Sequence, residues 1–493
     1  MSSPVQIPFH SFIQLKQSSG TPVYLQIVFE FIKAIQLGLL PEGTKLPGTR
    51  ILCKEFKVNR NTLIKAFQDL EAQGFIEIRP NAGTYILSAP QQNKVRGSSN
   101  SGISDPDLPV GFSFKKSSIL ENPLEVSHLP LQFNDGMPDL RLVHTDILGK
   151  LYVSKLKKQK NSKIWAETRT VAHQNFKLQF ANYLNLTRGI RISSEKLLTT
   201  TSHETSLYLV IKLLITPGDK VVVATPSYYL SNMTLTDSGA QIVSIAMNDD
   251  GIDTGQLRKI CESQNIRLLY LNSVYHYPTT TALSAKKRIE ILEMAKLFNF
   301  VILEDDYDFD FHHDNNPILP LTAFDSNERV VYIGSFARSM PMGFGYGFVV
   351  ASKAFIQELE KHQNILEPGI DVIKEQVLTD WIQDGEVHRL SKKNRKVYKE
   401  RRDHFISLLD NKLGGKISYQ VPARGLAVWV EWLQPFNLVQ LQQKCAANGL
   451  FLPKTILYQT KNIRATRLGF GNMNYLEMEN AIELLKKSVE DLE

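Results

Sequence analysis

Residues 304–308 (Glu-Asp-Asp-Tyr-Asp) place four carboxyl groups directly after the apolar run 300–303. A carboxylate at the end of a buried strand can bind a metal ion, stabilise a cationic ring nitrogen or cap a helix, and the residue types alone leave these three alternatives open. Two other polar segments, 226–228 (Pro-Ser-Tyr) and 275–278 (Tyr-His-Tyr-Pro), also follow apolar runs. Because open parallel sheets bind ligands at the carboxyl ends of their strands, we expect ligand contacts at all three segments.

A second set of polar side chains lies on one face of a helix predicted after residue 59. Its apolar face is formed, at spacing i, i+3, i+4 and i+7, by Leu63, Ala66, Phe67 and Leu70. The opposite face carries the residues that we expect at the major groove of DNA, namely Arg60, Asn61, Thr62 and Lys65. Contacts near phosphates are expected from Arg50, Arg79, Gly83 and Thr84. The alternative is a packing domain without a ligand.

The elements around this helix predict a small domain. Apolar spacing indicates helices over about 21–38 and from residue 49, and then the helix that opens at 59–62 (Asn-Arg-Asn-Thr) and ends at 73–74 (Gln-Gly). Residues 75–79 and 84–87 alternate as two strands joined by a turn at 80–83, which completes a winged helix-turn-helix. Residues 40–86 closely resemble the winged helix of the GntR family. The resemblance implies binding to a double-stranded DNA operator.

The rest of the chain predicts a larger domain. Strand-like runs at 220–224, 242–245, 268–271 and 300–303 alternate with helical segments, which is typical of an α/β fold with a largely parallel sheet. Residues 89–118 are rich in Ser, Gly, Asn and Pro and predict a flexible linker. We therefore expect a DNA-binding domain at 1–88, the linker, and a domain at 119–493 with a large subdomain at about 160–370 and a small one at about 371–493.

The order of motifs in the large domain resembles the fold type I aminotransferases, from 133–139 (Phe-Asn-Asp-Gly-Met-Pro-Asp) to 467–470 (Arg-Leu-Gly-Phe). With its winged helix, the whole chain is similar to the MocR subfamily of GntR regulators. The resemblance implies pyridoxal 5'-phosphate as cofactor, with Asp305 at the pyridine nitrogen, Tyr307 at the phenolic oxygen and Tyr228 stacked on the ring. It also implies that Arg467 holds a substrate or effector carboxylate. The expected cofactor-binding set is completed by Ser202, His203, Ser335 and Arg338. The alternatives are that Tyr228 is only a packed aromatic side chain and that Arg467 forms only a structural or surface ion pair.

Several positions depart from the aminotransferase pattern. Residues 334–338 are Gly-Ser-Phe-Ala-Arg where the family has Gly-Ser-Phe-Ser-Lys, and an arginine cannot supply the amine that attacks an aldehyde. The family's arginine at the cofactor phosphate is missing, since no arginine occurs between Arg338 and Arg389. Where the family has Gly, Gln and Gly, this chain has Ser202, Glu204 and Thr280. We expect Arg338 either to contact a ligand or to form an internal pair beside Asp305.

These observations predict a homodimeric DNA-binding transcriptional regulator. Its aminotransferase-like domain is expected to form no imine with the cofactor and to serve in dimerisation and in sensing a small effector, an amino acid or a vitamin B6 vitamer. The alternatives are a pyridoxal-phosphate-dependent enzyme of the aminotransferase type or a pyridoxal-phosphate-responsive regulator, either with a non-standard site, and a purely structural dimeriser. The net charge of +7 is compatible with a polyanion partner, and three scattered cysteines fit neither a disulfide framework nor a zinc site. No apolar stretch reaches the roughly 20 residues that cross a membrane, and the first residues lack a signal peptide, so we expect a cytoplasmic protein without bound metal.

Overall fold

The computed structural model describes residues 9, 13, 15, 21–80, 82–87, 112–114, 116–143, 145–158, 165–314, 318–336, 338, 340, 343–369 and 371–492. The chain folds as two compact units, Met1–Ser113 and Phe114–Glu493. Most of the linker predicted at 89–118 lies outside the described residues. Each unit has an apolar core of its own.

The first unit combines three helices with a small antiparallel sheet. Its elements are α1 Val23–Gln36, β1 Lys45–Leu46, α2 Thr49–Phe56, α3 Arg60–Ala72, β2 Ile76–Arg79 and β3 Gly83–Ile86. The strand order is β1-β3-β2, so the hairpin of β2 and β3 is extended by the short strand before α2. Each helix contributes to one buried core, for example through Phe31, Leu52 and Leu63. This is the winged helix-turn-helix that the sequence predicts.

The second unit is built on an eight-stranded sheet of order β5-β12-β11-β10-β9-β6-β7-β8. Its strands are β5 Leu197–Thr200, β6 Lys220–Thr225, β7 Gln241–Asn248, β8 Gly251–Ile252, β9 Leu268–Leu271, β10 Val301–Asp306, β11 Val330–Ser335 and β12 Gly347–Val350. Five strands in the middle of the sheet run parallel to one another, in the order β7, β6, β9, β10 and β11. On either side of them, β8 pairs antiparallel with β7, and β12 pairs antiparallel with β11. Since β12 also pairs antiparallel with β5, the carboxyl ends of β5, β10 and β11 point to the same edge.

Helices cover both faces of this sheet. They are α4 Thr145–Lys158, α5 Trp165–Arg188, α6 His203–Leu214, α7 Tyr229–Asp237, α8 Thr254–Ser263, α9 Ala285–Leu297, α10 Lys353–Leu366 and α11 Val372–Gln383. Along β6, Val222 belongs to the apolar core on one face while Val221 and Val223 belong to the core on the other. This alternation follows from the two-residue period of a strand and explains why the buried strands read as continuous apolar runs.

A smaller subdomain follows the large sheet. Its antiparallel sheet has the order β13-β14-β17-β16, and its elements are α12 Glu386–Leu413, β13 Ile417–Tyr419, β14 Ala427–Trp432, α13 Leu438–Ala447, β15 Leu450–Phe451, β16 Leu457–Gln459, β17 Arg464–Gly469 and α14 Tyr475–Glu490. The earlier strand β4 (Leu131–Gln132) pairs with β15 and so joins this subdomain. In contrast to the predicted boundary near residue 371, α11 packs in the core of the large sheet through Val377 and Leu378. An apolar helical stripe does not reveal which of two cores it will join.

Within the described part of the chain, none of the helices combines the length and the apolar character needed to cross a membrane.

Candidate functional site

The polar face of α3 is presented to solvent by a helix that is anchored on its other side. Leu63 and Phe67 are buried, whereas Arg60, Asn61 and Lys65 are exposed and Thr62 is half-buried. The helix begins where the sequence predicts, because the Asn59 side chain accepts a hydrogen bond from the Asn61 backbone N–H at 3.1 Å. The structure therefore places the four predicted groove residues on or beside one accessible surface.

The hairpin and the start of α2 carry the other predicted DNA contacts. Arg50 is exposed in the first turn of α2, and Arg79 is exposed on β2, where it pairs with Glu77 at 2.7 Å. Gly83 has φ +114°, a conformation that favours glycine at this turn. Thr84 is half-buried on β3.

Sequence reasoning missed one basic residue beside the wing. Lys45 is exposed on β1, and a Cβ added to Gly83 would lie 2.8 Å from its Cε. In the sequence, nothing marks Lys45 except that it precedes a single apolar residue. Lys45 lies beside the wing because β1 pairs with β3.

The predicted cofactor residues of the second unit surround a cavity of about 590 Å³ at the carboxyl edge of the large sheet. The residues that line it include Ser202, His203, Tyr228, Tyr307, Ser335 and Arg338. Asp305 lies behind His203 and is almost fully buried, and Arg467 is fully buried. The sequence thus identified side chains that the fold brings together, although two of them do not reach the cavity surface.

Asp305 is held by two partners from within the chain. One oxygen accepts a hydrogen bond from the Tyr270 hydroxyl at 2.6 Å, and the other lies 3.0 Å from His203 Nε2. Burial alone would lower the pKa of His203, but the Asp305 carboxylate outweighs it and raises that pKa to about 9. His203 is therefore a cation at neutral pH, and its charge lies where the resemblance expects a protonated pyridine nitrogen.

Arg338 forms an internal ion pair, but not the one that the sequence suggested. Its Nε lies 2.9 Å from Asp308 Oδ1, and its guanidinium also donates a hydrogen bond to the backbone oxygen of Gly136. Burial raises the pKa of Asp308 to about 6, against the opposing effect of Arg338. Asp305, the partner expected from sequence, is already occupied by His203. The pairing differs from the expectation because the long arginine side chain reaches Asp308, the first acid after β10.

Arg467 is enclosed by acceptors on every side. Its Nε donates to Asp135 at 2.8 Å, one terminal nitrogen donates to the Pro278 backbone oxygen at 2.9 Å, and the other contacts the hydroxyls of Tyr275 and Tyr307. Its side chain has no exposed area. A ligand carboxylate would therefore have to displace Asp135 before it could bind this guanidinium.

The start of α6, where the resemblance expects the cofactor phosphate, is occupied by oxygen atoms of the protein. Ser202 caps the helix by accepting a hydrogen bond from the Thr205 backbone N–H at 3.2 Å. The Thr201 backbone N–H is bound by the Glu367 carboxylate at 3.2 Å. Glu204 lies exposed in the first turn and lines the cavity. Two carboxylates thus supply negative charge at a helix N-terminus that would otherwise attract an anion.

Tyrosine rings form one wall of the cavity. Tyr228 packs edge-on against Tyr277 with ring centroids 4.9 Å apart, and Tyr277 lies 6.1 Å from Tyr307. Beside them, Thr280 has φ +62°, a left-handed conformation that costs a β-branched residue about 1–3 kcal/mol. The loop therefore keeps a backbone shape suited to glycine although its side chain has changed.

Comparison with known proteins identifies both parts of the chain. Residues 151–485 match the family described as aminotransferase class I and II, and residues 23–86 match the bacterial regulatory proteins of the gntR family. The chain belongs to the aminotransferase class I and II family. Its winged helix is a GntR-family domain. In this family member the GntR domain precedes an aminotransferase-like domain, as the resemblance of the sequence implied.

Relatives and solved structures support the same two-part description. The chain is 25% identical to the uncharacterized HTH-type transcriptional regulator YdfD of Bacillus subtilis, over 98% of this chain and 99% of the relative. It is 20% identical to the probable rhizopine catabolism regulatory protein MocR of Rhizobium meliloti, over 97% and 96%. The multiple substrate aminotransferase of Thermococcus profundus shares the fold of the second unit, with a TM-score of 0.66, 20% identity and coverage of 77% of this chain and 96% of that one.

Proposed function

We propose that this protein is a DNA-binding transcriptional regulator that uses Arg60, Asn61, Thr62 and Lys65 to read an operator. The observation that carries the proposal is the accessible polar face of α3, which is fixed by a buried apolar face and an Asn59 cap. Helices of this kind enter the major groove with their first residues against the base edges. The full-length similarity to HTH-type regulators supports the same function. Since chromosomal DNA of bacteria lies in the cytoplasm, we also propose that location.

Arg60→Ala tests this function most simply. The target is the DNA that the wild-type protein enriches from a random library, and the measurement is equilibrium binding at fixed salt. Loss of a base-contacting arginine costs about 1–3 kcal/mol, so we expect affinity to fall roughly fivefold or more. Arg258→Ala removes the same charge from an exposed position on α8 and serves as control. Equal affinity of the two variants would refute the assignment of α3.

We further propose that the aminotransferase-like domain does not hold pyridoxal 5'-phosphate as a family enzyme would. Three observations support this proposal. Position 338 offers a guanidinium that is paired with Asp308, both oxygens of Asp305 have partners, and the start of α6 is surrounded by carboxylates. No lysine is found among the described residues that line the cavity. The residues present therefore do not fit the group.

The domain is proposed to act instead in dimerisation and in effector sensing. Large apolar side chains on the helices of the second unit are exposed, among them Val171 on α5 and Ile365 on α10. A second copy of the chain would cover such surface and would bring two winged helices to two half-sites. Sedimentation of the full chain would show a dimer if this is correct and a monomer if it is not.

A further inference from the structure

We infer that the cavity at the carboxyl edge of the large sheet takes an unphosphorylated ligand with a cationic amino group on an aromatic or apolar body. The inference rests on the proposed function, since it names the chemical class of the effector that such a regulator would sense. Such a ligand has the opposite charge to the phosphorylated anion that the aminotransferase fold suggests. The charge of the ligand depends on which charges around the cavity are already neutralised.

The two cations of the lining are each paired with a buried acid. His203 lies 3.0 Å from Asp305, and Arg338 lies 2.9 Å from Asp308. Both acids are buried, so a ligand anion that drew either cation away would leave a desolvated carboxylate without its partner. That cost opposes binding of a phosphate or carboxylate.

Glu204 is the acid of the lining that lacks such a partner. Among the described residues it forms neither an ion pair nor a hydrogen bond, and it lines the cavity from the first turn of α6. Glu367 adds a second negative charge close by through its contact with Thr201. An ammonium group would be attracted to this side of the cavity, whereas a phosphate would be repelled.

The rest of the lining suits an aromatic or apolar body. Tyr228, Tyr277 and Tyr307 form one wall, and Met137, Leu140 and Met340 contribute apolar surface. Faces of aromatic rings also attract cations, which adds to the preference for an amine. A volume of about 590 Å³ lies within the range of small-molecule sites.

The test compares matched probes by titration calorimetry on the full chain. Pyridoxamine and its 5'-phosphate differ only by the phosphate, and phenethylamine and 3-phenylpropionate invert the charge on a similar body. We expect the wild-type protein to bind pyridoxamine more tightly than the phosphate, and phenethylamine more tightly than phenylpropionate. Glu204→Gln should weaken binding of both amines about fivefold and reduce the discrimination against both anions.

Glu262→Gln, an exposed position on α8 outside the cavity, is the control and should match the wild type. Tighter binding of the phosphorylated or carboxylate probe, an unchanged preference in Glu204→Gln, or no binding of any probe would each overturn the inference. Binding of the selected DNA is measured on the same preparations. Retained DNA binding with failed amine binding would contradict only the ligand class, whereas lost DNA binding would contradict the proposed function.

Discussion

At the scale of single residues, three acids at the carboxyl edge of the large sheet are each paired with a cation of the chain itself. Asp305 has His203, Asp308 has Arg338 and Asp135 has Arg467. An uncompensated buried carboxylate costs several kcal/mol, so a site without a cationic cofactor ring, as we propose for this chain, needs another source of positive charge. This requirement gives a physical reason for the arginine at the lysine position.

Arg338→Ala should destabilise the second unit strongly. The change leaves Asp308 buried without its cation, which typically costs about 3–5 kcal/mol. All four tryptophans lie beyond residue 113, so denaturant unfolding followed by tryptophan fluorescence reports on this unit. The double variant Arg338→Met with Asp308→Asn removes both charges and should recover most of the loss. An equally low stability of the double variant would show that the ion pair is not the cause.

His203 makes a pH-dependent contribution to stability. Its pKa is raised from an ordinary value of 6.5 to about 9, so the stabilisation is complete below about pH 6.5 and is lost as the pH rises through 9. The difference in unfolding free energy between the wild type and His203→Gln should therefore shrink by about 2–3 kcal/mol from pH 6 to pH 9. Denaturant unfolding at a series of pH values measures it. A difference that stays constant with pH would contradict the charged His203 pair.

At the scale of elements, local patterns were predictable and long-range pairings were not. The start of α3 was predictable from an apolar spacing that lies within a few residues, and the structure adds the Asn59 cap. The parallel strands β6, β7, β9 and β10 followed from apolar runs of the right length. By contrast, the contact of His203 with Asp305 depends on how β5 is placed relative to β10 in the sheet, and nothing local encodes that order.

Asn59→Ala should loosen the recognition helix without removing a proposed base contact. Loss of a helix N-cap of this type costs about 0.5–2 kcal/mol. Hydrogen–deuterium exchange of peptides from α3 should accelerate by a corresponding factor of roughly 2 to 30, while peptides from the second unit keep their rates. Asn59→Asp retains a capping oxygen and is expected to exchange like the wild type. Unaltered exchange in Asn59→Ala would mean that the cap does not stabilise α3.

At the scale of the whole molecule, an accessible helix face that we propose reads DNA is combined with an aminotransferase-like domain in which the charged residues of the implied cofactor site pair with one another. The helix face depends on a short segment of the chain that has its own apolar core. The second feature depends on residues that several strands and loops bring together at the carboxyl edge of the large sheet. Ligand binding in the cavity would then regulate DNA binding through a coupling of about 1–3 kcal/mol, the usual range for allosteric sites.

The central claim is tested most directly by borohydride reduction of the full-length protein in the presence of pyridoxal 5'-phosphate, followed by mass spectrometry of its peptides. Reduction fixes the cofactor covalently wherever it has formed an imine with a lysine. We predict that no lysine is modified stoichiometrically, because position 338 is an arginine paired with Asp308, and that DNA affinity is the same before and after treatment. One phosphopyridoxyl group per chain at a single lysine would contradict this account.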